Sequence, residues 1–331
     1  MSVKTRGIRA GGHSVWKDLV RMEEFGVFLI LFAMVAFLIL STDTFFTSTN
    51  IFNILRAVSW IAIAAFGQCM AIITRGIDLS TGSVMGLSGL ASAMLLVRNV
   101  NVPVAVLGGL LTGFAVGFIN GLMIAKGKLP PFIATMGTWL MARGLCYGLT
   151  GGWPVRGLPQ TFRDLGQYDI PVAGVGVPLP LLFMLLFFAL SALFLRRTVW
   201  GYHIYAVGGN ETATALSGIN TDRVKILVYS LSGFLAGVGG VLMTARLGVA
   251  APTAADGYEL DVIAAVFVGG TSVLGGEGTI LGVLIGAVIM QVLRNGLVLT
   301  GVSAYWLQAV QGLVIVLAIM FDQLRKRRRR G

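Results

Sequence analysis

The chain has 331 residues, of which 56% are apolar and only 12% charged, against about 25% charged in an ordinary soluble domain. Its mean hydropathy is +0.85, more apolar surface than a soluble core can hide, which excludes a soluble enzyme, a disordered chain and a collagen-like fibre. A net charge of +11 would suit a nucleic-acid binder, yet the bases lie between and beyond apolar runs, the pattern of a polytopic membrane protein with no nucleic-acid partner.

Residues 1–24 form a basic segment carrying Lys4, Arg6, Arg9, Lys17 and Arg21. The first apolar run, Phe25 to Leu40, follows it. A signal peptide is the competing reading, but no small-x-small cleavage signature follows, so the run is expected to be a retained anchor. The second run, Ala57–Thr74, ends at Thr74-Arg75-Gly76-Ile77-Asp78-Leu79-Ser80-Thr81-Gly82-Ser83. Gly76 and Gly82 permit irregular backbone, and Asp78, Ser80 and Ser83 are good N-cap types for the next helix. Two readings stay open. Asp78 caps a helix at the membrane interface, or the short run Ser83–Val97 starts inside the membrane and its capping region lines a polar passage. At 1.5 Å per residue that run reaches about 22 Å, short of the roughly 30 Å hydrocarbon core.

The run Val102–Ala125 carries Gly109, Gly113, Gly117 and Gly121 at every fourth position, a stripe that lets helix backbones approach closely. Packing within the chain is the expected use, a dimer seam the alternative. In Pro131–Thr150, Arg143 sits halfway along and is costly in lipid, so it should face the interior. It would hydrogen-bond a solute or hold a carboxylate or helix C-terminus, the second being favoured. Ser80, Ser83, Asn120 and Thr138 supply donors and acceptors without strong binding, and with Asp78 and Arg143 make up the candidate lining of a passage. The connection Thr150–Pro178, with Trp153, Arg156, Arg163 and Tyr168, is the largest loop on the outer side.

After Leu179–Leu195 comes the longest inner loop, about 196–225. Within it Asn210 can cap a short helix from Glu211 to Ser217, Glu211 suits its positive end, and Gly218 ends it. A short helix of Ala and Thr suits docking in another protein's groove; an ordered loop is the plain alternative. The runs Ile226–Ala245, Leu260–Leu274, Thr279–Leu299 and Tyr305–Phe321 complete ten. Glycines cluster again at Gly269, Gly270, Gly275, Gly276 and Gly278, and Gly82-Ser83-Val84-Met85-Gly86-Leu87 is echoed by Gly278-Thr279-Ile280-Leu281-Gly282-Val283. Such paired breaks are what transporters use to place polar backbone near the midplane. Residues 322–331 form a basic tail, Arg325 to Arg330, read as a topogenic stop that touches acidic lipid headgroups.

The fold expected is therefore an all-α polytopic membrane protein of about ten transmembrane helices, some short or broken. The permease domain would span 25–321. With the N-terminus in the cytoplasm, eighteen of 25 Lys and Arg fall inside: the five N-terminal bases, Arg75, Lys126, Lys128, Arg196, Arg197, Arg223, Lys225 and the six-residue tail. Arg98, Arg156, Arg163 and Arg246 fall outside, while Arg56, Arg143 and Arg294 lie at or within runs. Both termini are thus expected in the cytoplasm. No P-loop occurs, so ATP should not be hydrolysed on this chain. The two histidines, His13 and His203, and two cysteines, Cys69 and Cys146, form no metal motif. The cysteines are expected as buried thiols, and no cofactor is expected on the chain.

In this order, Gly-Ile-Asp-Leu-Ser-x-Gly-Ser at 76–83, Pro131-Phe132-Ile133-Ala134-Thr135-Met136-Gly137-Thr138 with Arg143-Gly144, Gly209-Asn210-Glu211 through Gly218-Ile219, and Val268-Gly269-Gly270 to Gly276 carry a resemblance. The sequence resembles permease subunits of bacterial ATP-binding-cassette sugar importers of the ribose/xylose/arabinose/galactose type, from about Phe46 to Phe321. The Ile77-Asp78-Leu79-Ser80 run argues against the related branched-chain amino-acid permeases. The resemblance implies a cytoplasmic-membrane protein whose second permease copy or paralogue completes a dimer. It also implies ATPase subunits holding ATP and Mg, and a periplasmic or lipid-anchored sugar-binding protein. It further implies that Gly209, Asn210, Glu211, Ala213, Ala215, Gly218 and Ile219 form the element that couples to the ATPase. Arg75 departs from the glycine expected before Gly-Ile-Asp; a base there occurs in branches similar to autoinducer-2 or deoxysugar importers. An energy-independent channel or facilitator for small polar solutes is the alternative from another class.

Overall fold

The computed structural model describes residues 23–172, 174–303, 306, 309–310, 312–317 and 319–320. The basic N-terminal segment up to residue 22 and the 322–331 tail lie outside the described residues. So does part of the run Tyr305–Phe321, whose described residues are helical at 306, 309–310, 312–317 and 319–320.

Short polar signals set the helix limits. Helix α1 covers Glu23–Ser41. Helix α2, Ser48–Ile73, begins where the Thr47 hydroxyl accepts the Asn50 N–H. Its first turns hold Asn50, Asn53 and Arg56, which is why hydropathy alone starts it at Ala57. Helix α3 is Thr81–Leu96. Helix α4, Val102–Ala125, is capped by Asn101 and has proline in its first turn. Helix α5, Pro131–Thr150, follows Pro130 and ends on left-handed Gly151. Proline at a first turn loses no hydrogen bond, and glycine takes the left-handed closing position freely, so both helices keep their expected limits.

The outer connection contains helix α6, Gln160–Gln167, and an antiparallel pair, β1 Asp169–Val172 with β2 Val175–Pro178. That small hairpin corrects the all-α expectation; Gly174 at φ 82° makes its tight turn. Helix α7, Leu179–Arg197, precedes α8, Val199–Gly209, and α9, Glu211–Leu216. Residues 199–209 thus form a helix where the sequence reads as loop, capped by the Thr198 hydroxyl on the Gly201 N–H. Helix α10 is Thr221–Leu247, α11 is Tyr258–Val268 and α12 is Ile280–Leu299. The expected run Leu260–Leu274 is corrected: its helix stops at Val268, because Gly270, Gly275, Gly276 and Gly278 all take positive φ. At about 16 Å, α11 is too short to cross a bilayer.

Five described helices, α2, α4, α7, α10 and α12, are long and apolar enough to cross a membrane. Every residue of α2 from Val58 to Ile73 is buried, as suits a helix apolar on all sides at a bundle centre. Helix α10 packs along α4 and against α2 and α3, while α11 and α12 pair beside α2. By contrast α4 exposes Leu107, Leu111, Phe114 and Phe118, and α7 exposes Leu182, Leu185, Leu186, Leu190 and Leu193. Such outward rows of large apolar side chains suit lipid rather than water.

The glycine stripe lies inside the chain. A methyl at Gly113 would collide with the Gly233 carbonyl, and one at Gly117 with the Tyr229 carbonyl, both on α10. One at Gly121 would lie 2.7 Å from the Ile226 Cα. The stripe is the contact surface of α4 on α10, where the backbones nearly touch. Cys69 and Cys146 are buried free thiols.

Candidate functional site

The break between α2 and α3 is closed locally before it does anything else. The Gly76 N–H returns to the Ala71 carbonyl (3.0 Å), and Arg75 takes φ 64°, the left-handed region that favours glycine. This is the physical content of the glycine expected at that position. The Arg75 guanidinium donates to two carbonyls at the end of α8, through Nε to Gly208 (2.6 Å) and through Nη2 to Gly209. Charge-assisted bonds to the carbonyl end of a helix offset the backbone strain.

Asp78 then turns inward. Its Oδ1 accepts the Ser80 N–H (3.0 Å) and the Ser80 hydroxyl, and its Oδ2 accepts the Ser232 hydroxyl of α10 (2.9 Å). The Asn120 amide of α4 donates to Ser80 Oγ (2.9 Å), and the Thr138 hydroxyl of α5 donates to Asn120 Oδ1 (2.6 Å). From α2, the Gln68 amide is oriented to donate to the Asp78 carbonyl (3.1 Å) and accept its N–H (3.2 Å). Thr135 accepts the Leu79 N–H (3.1 Å). None of Gln68, Asp78, Ser80, Asn120, Thr135, Thr138 and Ser232 is more than 5% exposed. A buried carboxylate with this many donors is a fully connected network, and it ties α2, α4, α5 and α10 to the break.

Four of the six candidate lining residues, Asp78, Ser80, Asn120 and Thr138, therefore meet in one chain of hydrogen bonds. Ser80 occupies the position before α3 yet does not cap it; its hydroxyl goes to Asp78. Ser83 is buried one turn further on, and its Oγ bonds to none of the described residues. Arg143 stands apart, donating through Nη1 to the carbonyls of Pro252 and Ala254 (2.8 Å each). Gln68, Thr135 and Ser232 were not read from the sequence. A lone glutamine within the run Ala57–Thr74 was the available signal.

At the other end, Asn210 caps α9 by accepting the Ala213 N–H (3.0 Å). Glu211, in its first turn, pairs with Lys225 of α10 (2.6 Å). Gly218, at φ 85°, ends the turn, and Ile219 donates back to the Thr214 carbonyl (3.3 Å). Thr214 faces inward, while Gly209, Asn210, Ala213, Ala215 and Gly218 are exposed, Glu211 and Ile219 half-buried, and Leu216 is 85% exposed. The helix thus offers small side chains and one bare leucine. The glycine-rich stretch after α11 joins this end: Gly276 N–H donates to the Ile73 carbonyl (2.9 Å) and the Tyr205 hydroxyl to the Gly278 carbonyl (2.7 Å). A methyl at Gly208 would collide with the Ile73 carbonyl. The two glycine breaks and the end of α8 consequently form one backbone knot. Among the described residues, no three His, Cys, Asp or Glu side chains gather to hold a metal.

The family described as branched-chain amino acid transport system / permease component matches residues 50–319. The chain belongs to that family. Among its relatives, the ribose import permease protein RbsC of Escherichia coli (strain K12) is 44% identical over 309 residues, covering 93% of this chain and 95% of the relative. The galactose/methyl galactoside import permease protein MglC of Haemophilus influenzae is 34% identical over 328 residues, 93% and 96% of the two chains. The L-arabinose ABC transporter permease protein AraH of Azospirillum brasilense is 34% identical over 323 residues, 98% and 93%. No solved structure matches the chain. Both the break at 74–83 and the α8–α9 corner of this permease-family chain lie inside the matched region.

Proposed function

We propose that this chain is the membrane subunit of an ATP-binding-cassette importer and carries a monosaccharide or similar small polyol inward. The observation that carries the reading is likeness to sugar import permeases over more than nine-tenths of both chains.

In this reading ten apolar segments lie in the cytoplasmic membrane, some of them too short to cross it alone, and both ends are in the cytoplasm, the side that the distribution of Lys and Arg favours. The permease domain covers 25–321, and the basic tail rests on acidic lipid. A second permease, identical or paralogous, completes the pathway. ATPase subunits, with their ATP and Mg, receive α9, whose exposed Ala213, Ala215 and Leu216 seat in a groove. A periplasmic or lipid-anchored sugar-binding protein docks on the outer connection, where Trp153 and Tyr168 are exposed. Asp78, Ser80, Ser83, Asn120, Thr138 and Arg143 are the residues proposed to govern the pathway. Purification from detergent tests the assembly: an ATPase copurifying in equal amount supports it, and a permease that purifies alone yet transports supports a facilitator.

A further inference from the structure

A second group of polar side chains sits away from the Asp78 network, on the glycine face of α3. Gly82 and Gly86 are about one helical turn apart, roughly 6 Å along the axis. A methyl at Gly82 would collide with Oε2 of Glu259, and one at Gly86 would lie 3.3 Å from Nη1 of Arg143 and 2.8 Å from the Ala254 carbonyl. The first turn of α11 and the middle of α5 thus bring a carboxylate and a guanidinium to the same helix face.

Glu259 is only 7% exposed, and its Oε2 bonds to no described residue. Arg143 uses Nη1 on the Pro252 and Ala254 carbonyls, leaving Nε and Nη2 buried with no hydrogen bond. Its remaining charged neighbour is Asp256, whose carboxylate is 3.9 Å from Nη2 and largely exposed. Ser83 Oγ, on the same turn of α3 as Gly82, is likewise buried and unbonded. Ionisable groups inside a membrane protein are retained for function or are paired, and this pairing is incomplete: an acceptor on Glu259 and donors on Arg143 are left over.

We propose that Glu259 and Arg143 form a polar station for the transported solute. The Glu259 carboxylate accepts from one hydroxyl of a polyol and the Arg143 guanidinium donates to another. A hydroxyl both donates and accepts, so a polyol satisfies both leftovers at once, whereas an ion satisfies one and repels the other. The proposal rests on the sugar-import reading above. Glycine at both facing positions of α3 leaves room for the Glu259 carboxylate and the Arg143 guanidinium to lie against its backbone.

The test uses the complete importer, this chain with its ATPase and sugar-binding subunits, in liposomes loaded with Mg and ATP. Initial uptake of D-ribose, D-galactose and L-arabinose is measured first. The best-carried sugar is then compared with its monodeoxy analogues at saturating concentration. The wild type should prefer the parent sugar over at least one analogue, and Glu259→Gln, nearly isosteric, should shrink that preference about tenfold, the worth of one charge-assisted hydrogen bond. Glu259→Asp, which keeps the charge and withdraws it by one methylene, should give an intermediate ratio and serves if the Gln variant does not reach the membrane. A carboxylate that only holds the fold would slow parent and analogue alike. An unchanged ratio, a wild type without preference, or two variants that fail to insert would overturn the station and leave the sugar reading standing. A wild type that takes up none of the three sugars would sink that reading and the station together.

Discussion

Arg75 carries two opposed contributions that a substitution can separate. Left-handed backbone at a non-glycine residue costs on the order of 1 kcal/mol, and the two bonds to Gly208 and Gly209 more than offset it. Arg75→Ala keeps the strain and loses the bonds, so it should lower the unfolding midpoint in detergent. Arg75→Gly loses both and should fall less. Asp78 allows a similar separation. In Asp78→Asn the amide can donate to Ser232, whose hydroxyl reverses, so membrane yield should stay near that of the wild type while uptake falls severalfold. Loss of yield with normal uptake per molecule would make Asp78 a folding group alone. Neither the clamp nor the Ser232 contact was legible in the sequence, because each joins residues more than a hundred positions apart; what the sequence does show is that Asp78 and Ser80 stand at a break.

Between elements, the α4–α10 seam and α9 make contrasting demands. Gly117 lies against the α10 backbone, whereas a methyl at Gly137 of α5 would meet nothing within 4 Å. Gly117→Leu should therefore abolish accumulation in the membrane and Gly137→Ala should be tolerated, as a fluorescent C-terminal fusion would show. In Glu211→Arg the pair with Lys225 becomes a repulsion at the start of α9. The protein should still insert but should uncouple ATP hydrolysis from uptake; normal sugar-stimulated hydrolysis would remove α9 from the coupling role. Apolar runs made α4 and α5 legible, and the cap type at Asn210 made α9 so; Asn101 and Pro130 show their part as end signals only in the structure. Helix α8 was hidden because Gly201, Gly208 and Gly209 look like loop. Gly201 and Gly208 are small so that α8 can press on the Leu195 and Ile73 carbonyls, a demand that only tertiary packing reveals.

Across the whole molecule, the loop bearing Asp78 and the helix proposed to meet the ATPase are joined through few bonds: Arg75 to Gly208 and Gly209, then Asn210 into α9. Movement of α9 would thus reach the polar network without passing through lipid-facing surface. Composition established that the chain belongs in a membrane, yet the short α11, the hairpin and the packing of the two glycine breaks against each other arise from long-range contacts. On the proposed reading, this permease moves solute only when partner ATPases drive it. The most direct measurement is radiolabelled sugar accumulation in liposomes bearing either the chain alone or the chain with its ATPase and binding subunits. Accumulation above the outside concentration should require the complete assembly and internal Mg and ATP; uphill accumulation by the chain alone would show that no partner ATPase is needed.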